Sequence, residues 1–446
     1  MVLSRALSFC LLLACLQTAS ATRILSLDPQ GNPVAFGAQV VDVSGNGRYA
    51  VLQSRQLIPE DTSGQVQVYV YDLVTDEVEL ISVQPDGQAS ATSVVGYDSP
   101  HSRVISSDGR YVLFRTAATD ITPAINTNGQ QQVYRRDREL GITEIMSVAG
   151  DRTTAANQSI VEYTMDCTGQ QVLFRTAATN LTPEMQGGAF LHQADAPPAS
   201  GVVTRKACSD DNGGFLACAN FSLGNGLISF IATSTGVVPN DPPGPDIFVA
   251  NVIDGNNLLV TEDVGTIATT RLHGPPTSAC SGHRIAFTTN VNLFFNPDGT
   301  FERDLYVVDT VSGQKLRFGD PDSAGQSLVN STNRFATISD SGQLVGFQTA
   351  LNLDPRDGNA ASSDSYFIEF NRSFSAYTIH YVGHWNDSPS DRTSILPHLG
   401  DNGIAVFMAD PINPPWPQTN GFRHAFANLP PGSFGVIFQN RFQQVP

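Results

Sequence analysis

The sequence predicts an all-β fold: a seven-bladed β-propeller of four-stranded antiparallel blades. Three observations predict it. Glycines in turn-forming contexts recur at Gly47, Gly109, Gly169, Gly226, Gly282, Gly342 and Gly403, with spacings of 62, 60, 57, 56, 60 and 61 residues. The stretch Tyr111-Val112-Leu113-Phe114-Arg115-Thr116-Ala117-Ala118-Thr119-Asp120 returns 60 residues later as Gln171-Val172-Leu173-Phe174-Arg175-Thr176-Ala177-Ala178-Thr179-Asn180. An aromatic follows each turn glycine by 21 to 25 residues: Tyr69, Tyr134, Phe190, Phe248, Tyr306, Tyr366 and Phe426. A unit that cannot bury its apolar face alone stacks on copies of itself, so a fixed period marks a repeat fold. Units near 60 residues exceed the usual solenoid period of about 20–50, which favours blades closed into a ring. Charged residues at 15%, with 38 glycines and 27 prolines spread along the chain, suit short strands and tight turns.

Each copy carries its elements in the same order. A modest apolar stretch comes first, such as Ser102-Arg103-Val104-Ile105-Ser106 or Arg334-Phe335-Ala336-Thr337-Ile338-Ser339, and is expected innermost. The turn follows, as Ser107-Asp108-Gly109, Asn225-Gly226 or Asp401-Asn402-Gly403; Asn-Gly and Asp-Gly reach positive φ at low steric cost. The second strand is nearly continuous in apolar residues, as in Leu227-Ile228-Ser229-Phe230 and Ile404-Ala405-Val406-Phe407. Such strands need cover on both faces, which stacked blades provide. A variable loop leads to the third strand with its recurring aromatic. Fourth strands are readable in five copies, among them Val78-Glu79-Leu80-Ile81-Ser82-Val83. At the amino end, Thr22-Arg23-Ile24-Leu25-Ser26-Leu27 resembles a fourth strand that completes the last blade, while Phe434-Gly435-Val436-Ile437-Phe438 offers a rival closing strand.

The second copy, Ser106-Ser107-Asp108-Gly109-Arg110-Tyr111-Val112-Leu113-Phe114 with Gln132-Val133-Tyr134-Arg135-Arg136-Asp137, resembles the repeat of TolB-like, WD-related bacterial propellers. Asp304-Leu305-Tyr306-Val307-Val308-Asp309 matches its third strand. The resemblance spans residues 22–446 and implies architecture; propellers of this kind serve unrelated functions. Blades 3, 4 and 7 depart from the pattern, and the helical amino-terminal domain of TolB has no counterpart here.

Residues 1–21 read as a secretory signal peptide, with Arg5, an apolar stretch at 6–16 and the small-residue site Ala19-Ser20-Ala21. An apolar run of about 11 residues is too short to span a bilayer core of about 30 Å. In a second reading, Leu12-Leu13-Ala14-Cys15 is a lipobox and Cys15 carries a lipid tether. Cleavage after Ala21 is preferred, giving a secreted or periplasmic protein without a transmembrane segment; the alternative is a lipid-anchored envelope protein.

The formal net charge is −17, and Lys206 and Lys315 are the only lysines. Phosphate backbones need clustered cations, so nucleic acid is not an expected partner. Cys208 and Cys218 flank a turn and are expected to form a disulfide; the state of Cys167 and Cys280 is left open. Cys-x9-Cys lacks the second ligand pair of a zinc site.

No Gly-x-Ser-x-Gly elbow, His-Glu-x-x-His pair, phosphate loop or EF-hand series is present. Catalytic, cofactor and metal residues are therefore not assigned. His101, His273 and His398 each precede a first strand, near one end of the expected channel. His101, Arg103 and Arg334 are the candidate channel-mouth ligand residues. The loops before Asp246, Asp304 and Asp364 are rich in oxygen ligands that suit calcium, but turn formation and strand capping are the preferred reading.

The expected function is an exported, non-catalytic binding or scaffold module for a protein, peptide or glycan, acting as a monomer. The alternatives are a secreted propeller hydrolase or lyase with its site at the channel mouth, and a calcium-stabilised structural protein.

Overall fold

The computed structural model describes residues 21–28, 30–96, 102–183, 186–195, 204–210, 214, 216–233, 236–239, 243–252, 255–262, 271–291, 293, 304–318, 335–355, 363–382, 384–385, 388–389, 395–409 and 423–430. His101, Arg334, Cys15 and the strand candidate at 434–438 lie outside these residues. Seven antiparallel blades form a propeller. Among the described residues, no helix is long and apolar enough to cross a membrane.

Strands are lettered a to d outward from the channel. Blade 1 comprises Gln39–Val43, Tyr49–Ser54, Gln67–Asp72 and Val78–Leu80. Blade 2 has strands b to d at Tyr111–Thr116, Gln132–Asp137 and Ile142–Ile145. Its innermost strand is reduced to an isolated bridge, Ile105 to Val112. Neighbouring blades explain why: Asp42 Oδ2 of blade 1 accepts from Val104 N–H at 2.8 Å, and Thr164 Oγ1 of blade 3 accepts from Arg103 N–H at 3.0 Å. Blade 3 is Ile160–Met165, Gln171–Thr176, Gly188–Gln193 and Thr204–Lys206. Blade 4 is Cys218–Gly224, Leu227–Ala232, Asp246–Asn251 and Asn257–Leu259. Blade 5 is Thr277–Ser278, Arg284–Thr289, Asp304–Asp309 and Lys315–Phe318. Blade 6 is Thr337–Ile338, Leu344–Thr349, Asp364–Phe370 and Tyr377–Tyr381.

Blade 7 takes its outermost strand from the other end of the chain. Ala21–Ile24 pairs with His424–Leu429, beyond Ala405–Ala409 and Ile395–Leu399. Thr22 faces Asn428 and Ile24 faces Phe426. The amino-terminal strand therefore supplies strand d of blade 7, as its likeness to a fourth strand predicts.

The recurring aromatics join strand c to strand b within each blade. In blades 2 to 7 each lies directly opposite a phenylalanine of strand b, as in Phe114–Tyr134, Phe230–Phe248 and Phe407–Phe426, with ring centroids 5.5 to 5.9 Å apart in these three. Blade 1 places Leu52 opposite Tyr69 instead. These rings are fully buried, and each pair adds about 0.5–1.5 kcal/mol beyond its area.

The turn glycines have two physical jobs. Gly109 takes a φ of +83°, and a Cβ built on it would lie 2.1 Å from Tyr49 Cδ2 of blade 1. Gly169, at +73°, would meet Tyr111 of blade 2 at 2.7 Å. Gly109 and Gly169 thus each make their own turn and seat the preceding blade.

Ionic clamps tie the ends of strands c to the turns. Arg48 donates to both Asp72 oxygens, Arg110 grips Asp137, and Arg284 reaches Asp309 at 3.2 Å. Burial opposes ionisation of these three carboxyls. The arginines and the backbone N–H groups of the following turn outweigh it, holding all three below the usual aspartate range.

His192 shows the opposite balance. It is 1% exposed, its Nδ1 lies 2.8 Å from Thr204 Oγ1, and burial, aided by the charges of Arg152 and Arg135, pushes its pKa down to about 3. The unfolded chain takes a proton near the ordinary pKa of about 6.5, whereas the folded chain refuses it until about 3. Stability is therefore full above about pH 6.5 and falls as pH drops through that window, by on the order of 3 kcal/mol at pH 4. The aspartate clamps weaken further down, as pH falls through their depressed values. Urea midpoints measured from pH 8 to 4 should fall in the native chain and stay flatter between 6.5 and 4.5 in His192→Gln. Identical slopes in the two chains would refute the assignment.

Candidate functional site: the closed end of the channel

The residue two places before each turn glycine forms one rung around the channel axis: Gly45, Ser107, Cys167, Gly224, Cys280, Asp340 and Asp401. Neighbouring turns are joined there. Asn46 N–H donates to Ser107 O at 3.0 Å, Ser107 N–H to Cys167 O at 2.8 Å and Asn225 N–H to Cys280 O at 2.8 Å. Cys280 N–H donates to Asp340 O and Asp401 N–H to Gly45 O, both at 2.8 Å. Ser341 N–H donates to Asp401 Oδ1 at 2.8 Å. The last two bonds close the ring from blade 6 through blade 7 to blade 1.

Side chains from this rung fill the opening. Cys167 of blade 3 and Cys280 of blade 5 form a disulfide, and Gly224 of blade 4 brings no side chain between them. Asp340 lies beside it, its Oδ1 3.7 Å from Cys167 Sγ and its Oδ2 accepting from the Ser107 hydroxyl. A Cβ on Gly45 would fall 1.8 Å from that Oδ2, so blade 1 needs glycine here to admit the carboxylate.

Arg103 reaches this group from strand a of blade 2. Its guanidinium contacts Asp340 Oδ1 at 2.9 Å and donates to Leu223 O at 2.9 Å and Ser278 O at 3.1 Å. The two side chains are 11% and 13% exposed. One arginine thereby links blades 2, 4, 5 and 6.

Beside it lies a cavity of about 40 Å³ lined by Asp42, Ser102, Ser222, Thr337, His398 and others. One water needs roughly 10–15 Å³ of such space, so this cavity has room for a few waters. His398 Nδ1 stands 3.5 Å from Asp42 Oδ1. A register shift between Val40 and Asp42 accompanies the placement of Asp42 on the channel wall.

The sequence candidates separate here. Arg103 does enter the channel, but its donors meet an internal carboxylate and carbonyls. His273 is held between blades 4 and 5 by Pro245 O at 2.7 Å and Thr289 Oγ1 at 2.9 Å, whereas His398 faces Asp42. Asp246, Asp304 and Asp364 begin strands c, buried, and bond to Thr261 and Arg271, to Arg317 and to Tyr381 respectively. Cys208 and Cys218 form the second disulfide, with Cα atoms 6.3 Å apart. Sequence reasoning missed Asp42 and Asp340, and it left open the state of Cys167 and Cys280, which are paired here.

At the opposite end of blade 1, a groove of about 490 Å³ is lined by Phe36, Ala38, Gln39, Arg55, Met408 and Arg423, among others. Phe36 is 55% exposed, and the Arg55 guanidinium sits 5.7 Å from its ring centroid.

No protein family and no curated protein matches the chain. Solved structures do. Oligogalacturonate lyase from Vibrio parahaemolyticus is 11% identical, with a TM-score of 0.50 over 93% of this chain and 94% of that one. The β-propeller domain of the Trilobed protease from Pyrococcus furiosus is 12% identical, with a TM-score of 0.48 over 88% and 95%. TolB from Acinetobacter baumannii is 12% identical, with a TM-score of 0.32 over 86% and 80%. Likeness at such identity speaks for architecture and not for activity: the chain is a seven-bladed β-propeller.

Proposed function

We propose that the protein is an exported, non-catalytic binding or scaffold propeller that presents its loop-bearing face to a protein, peptide or glycan. The observation that carries this reading is the use of the channel's polar groups. Arg103, Asp340, Asp42 and His398 face one another or backbone groups, around a space of about 40 Å³. The groove at the other end supplies what the channel does not. Phe36 and Arg55 form an exposed aromatic–cation platform, with Arg423 beside it, in a chain of formal net charge −17. Such platforms bind carboxylate-bearing or aromatic partners by stacking and charge. Two disulfides support residence in an oxidising compartment.

The test is affinity capture from envelope or culture-supernatant extract together with a glycan array, using the native chain and a Phe36→Ser/Arg55→Ser variant. Partners should be retained by the native chain and lost, at least tenfold in apparent affinity, by a variant with an unchanged melting profile. Equal capture by both chains would overturn the groove assignment. Because one structurally similar protein is an oligogalacturonate lyase, cleavage of oligogalacturonate is assayed in parallel, and turnover would replace the binding reading with an enzymatic one.

A further inference from the structure

We propose that Cys167, Cys280 and Asp340 form a latent site for one thiophilic divalent cation of the Zn²⁺ class, opened when their disulfide is reduced. Two sulfurs and a carboxylate oxygen lie within 4.8 Å of one another at the closed end of the channel. Zinc binds thiolate at about 2.3 Å and carboxylate at about 2.0 Å in a tetrahedron, which sets the sulfur–oxygen edge near 3.5 Å. The Asp340 Oδ1 to Cys167 Sγ separation is 3.7 Å, so this edge already has nearly the required length. The cysteine Cα atoms are 5.5 Å apart, leaving the thiols to part by side-chain rotation. A water completes the set, beside Ser107 Oγ, which stands 3.5 Å from Cys280 Sγ.

The surroundings fit a cation despite the nearby arginine. Arg103 donates to Oδ1, the oxygen 3.7 Å from Cys167 Sγ, and the Ser107 hydroxyl donates to Oδ2, so both orient the Asp340 carboxylate as outer partners of metal ligands do. Two thiolates and one carboxylate carry three negative charges, matched by a divalent ion and Arg103. The reaction balances. A dithiol, which becomes a disulfide, or a phosphine with one water, which becomes the phosphine oxide, supplies two electrons and two protons, and the sulfur–sulfur bond breaks to give two thiols. The cation then displaces both thiol protons to solvent. The oxidised and metal-bound states would hold blades 3, 5 and 6 at the same point by different bonds.

The experiment uses the full chain, reduced by a phosphine without oxygen and titrated with Zn²⁺ against a chromophoric chelator, with Co²⁺ as a spectroscopic probe. The reduced chain should bind one equivalent, and Co²⁺ should show a thiolate charge-transfer band; the oxidised chain should do neither. Asp340→Asn should weaken binding at least tenfold, and Cys167→Ser/Cys280→Ser should abolish it. Cys208→Ser/Cys218→Ser should leave it intact. A readout free of variants guards against misfolding: Zn²⁺ should slow alkylation of Cys167 and Cys280 in the reduced native chain, mapped by mass spectrometry. Equal alkylation with and without Zn²⁺, or a full equivalent bound by Cys167→Ser/Cys280→Ser, would overturn the proposal.

Discussion

Asp340→Ala should lower stability by about 3–5 kcal/mol, the usual cost of leaving a buried charge without its partner. The ion pair it breaks is 11% and 13% exposed, and the abandoned guanidinium keeps carbonyls but no counter-charge. Asp340 also accepts from Ser107, so the loss reaches the contact between blades 2 and 6. Arg103→Met should be comparably damaging, because it strands the carboxylate instead. The double replacement Arg103→Met/Asp340→Leu should recover much of the loss, since apolar groups of similar volume often replace a buried pair at little cost. A double-mutant cycle from urea denaturation reads the coupling directly. An Asp340→Ala chain within about 0.5 kcal/mol of native, as for an ordinary surface substitution, would show that the closed end does not depend on this pair.

The architecture was legible because its determinants are local. A turn glycine, the apolar strand after it and an aromatic at a fixed distance each leave a mark in one copy, and seven copies reinforce the mark. The closed end was harder to read because its contacts join copies 113 to 237 residues apart, as Cys167–Cys280 and Arg103–Asp340 do. A usable signal was present: Cys167, Cys280 and Asp340 all stand two residues before their turn glycines, which places them on one rung. Reading that column needs the ring geometry first, since equivalent positions converge only when blades surround an axis.

The acids Asp246, Asp304 and Asp364 illustrate a different obstacle. Their position at the start of strand c is occupied by Gln67, Gln132 and His424 in other blades, and each of those reaches a strand d or adjacent serine: Ser82, Ser147 and Ser26. The shared feature is a buried polar bridge from strand c outward, not a carboxylate cluster. Strand d has the weakest pattern in every copy, so the partners stayed hidden.

Removing the Cys167–Cys280 disulfide should cost more than removing Cys208–Cys218, although both are single covalent bonds. On chain-entropy grounds a cross-link limits the unfolded chain according to the loop that it closes. The sequence separations are 113 and 10 residues, giving about 5 and 3 kcal/mol respectively. The larger loop also carries blade 4 entire, so its loss frees the ring to open on either side of that blade. Cys167→Ser/Cys280→Ser should therefore unfold at lower urea than Cys208→Ser/Cys218→Ser, by about 2 kcal/mol, and should show earlier proteolytic cleavage between blades 3 and 5. Because Cys208 and Cys218 lie within the same span, the second variant is the proper control for lost packing. Equal midpoints would mean that other contacts between the blades keep the ring closed, and that the bond across the channel restrains a chain already held.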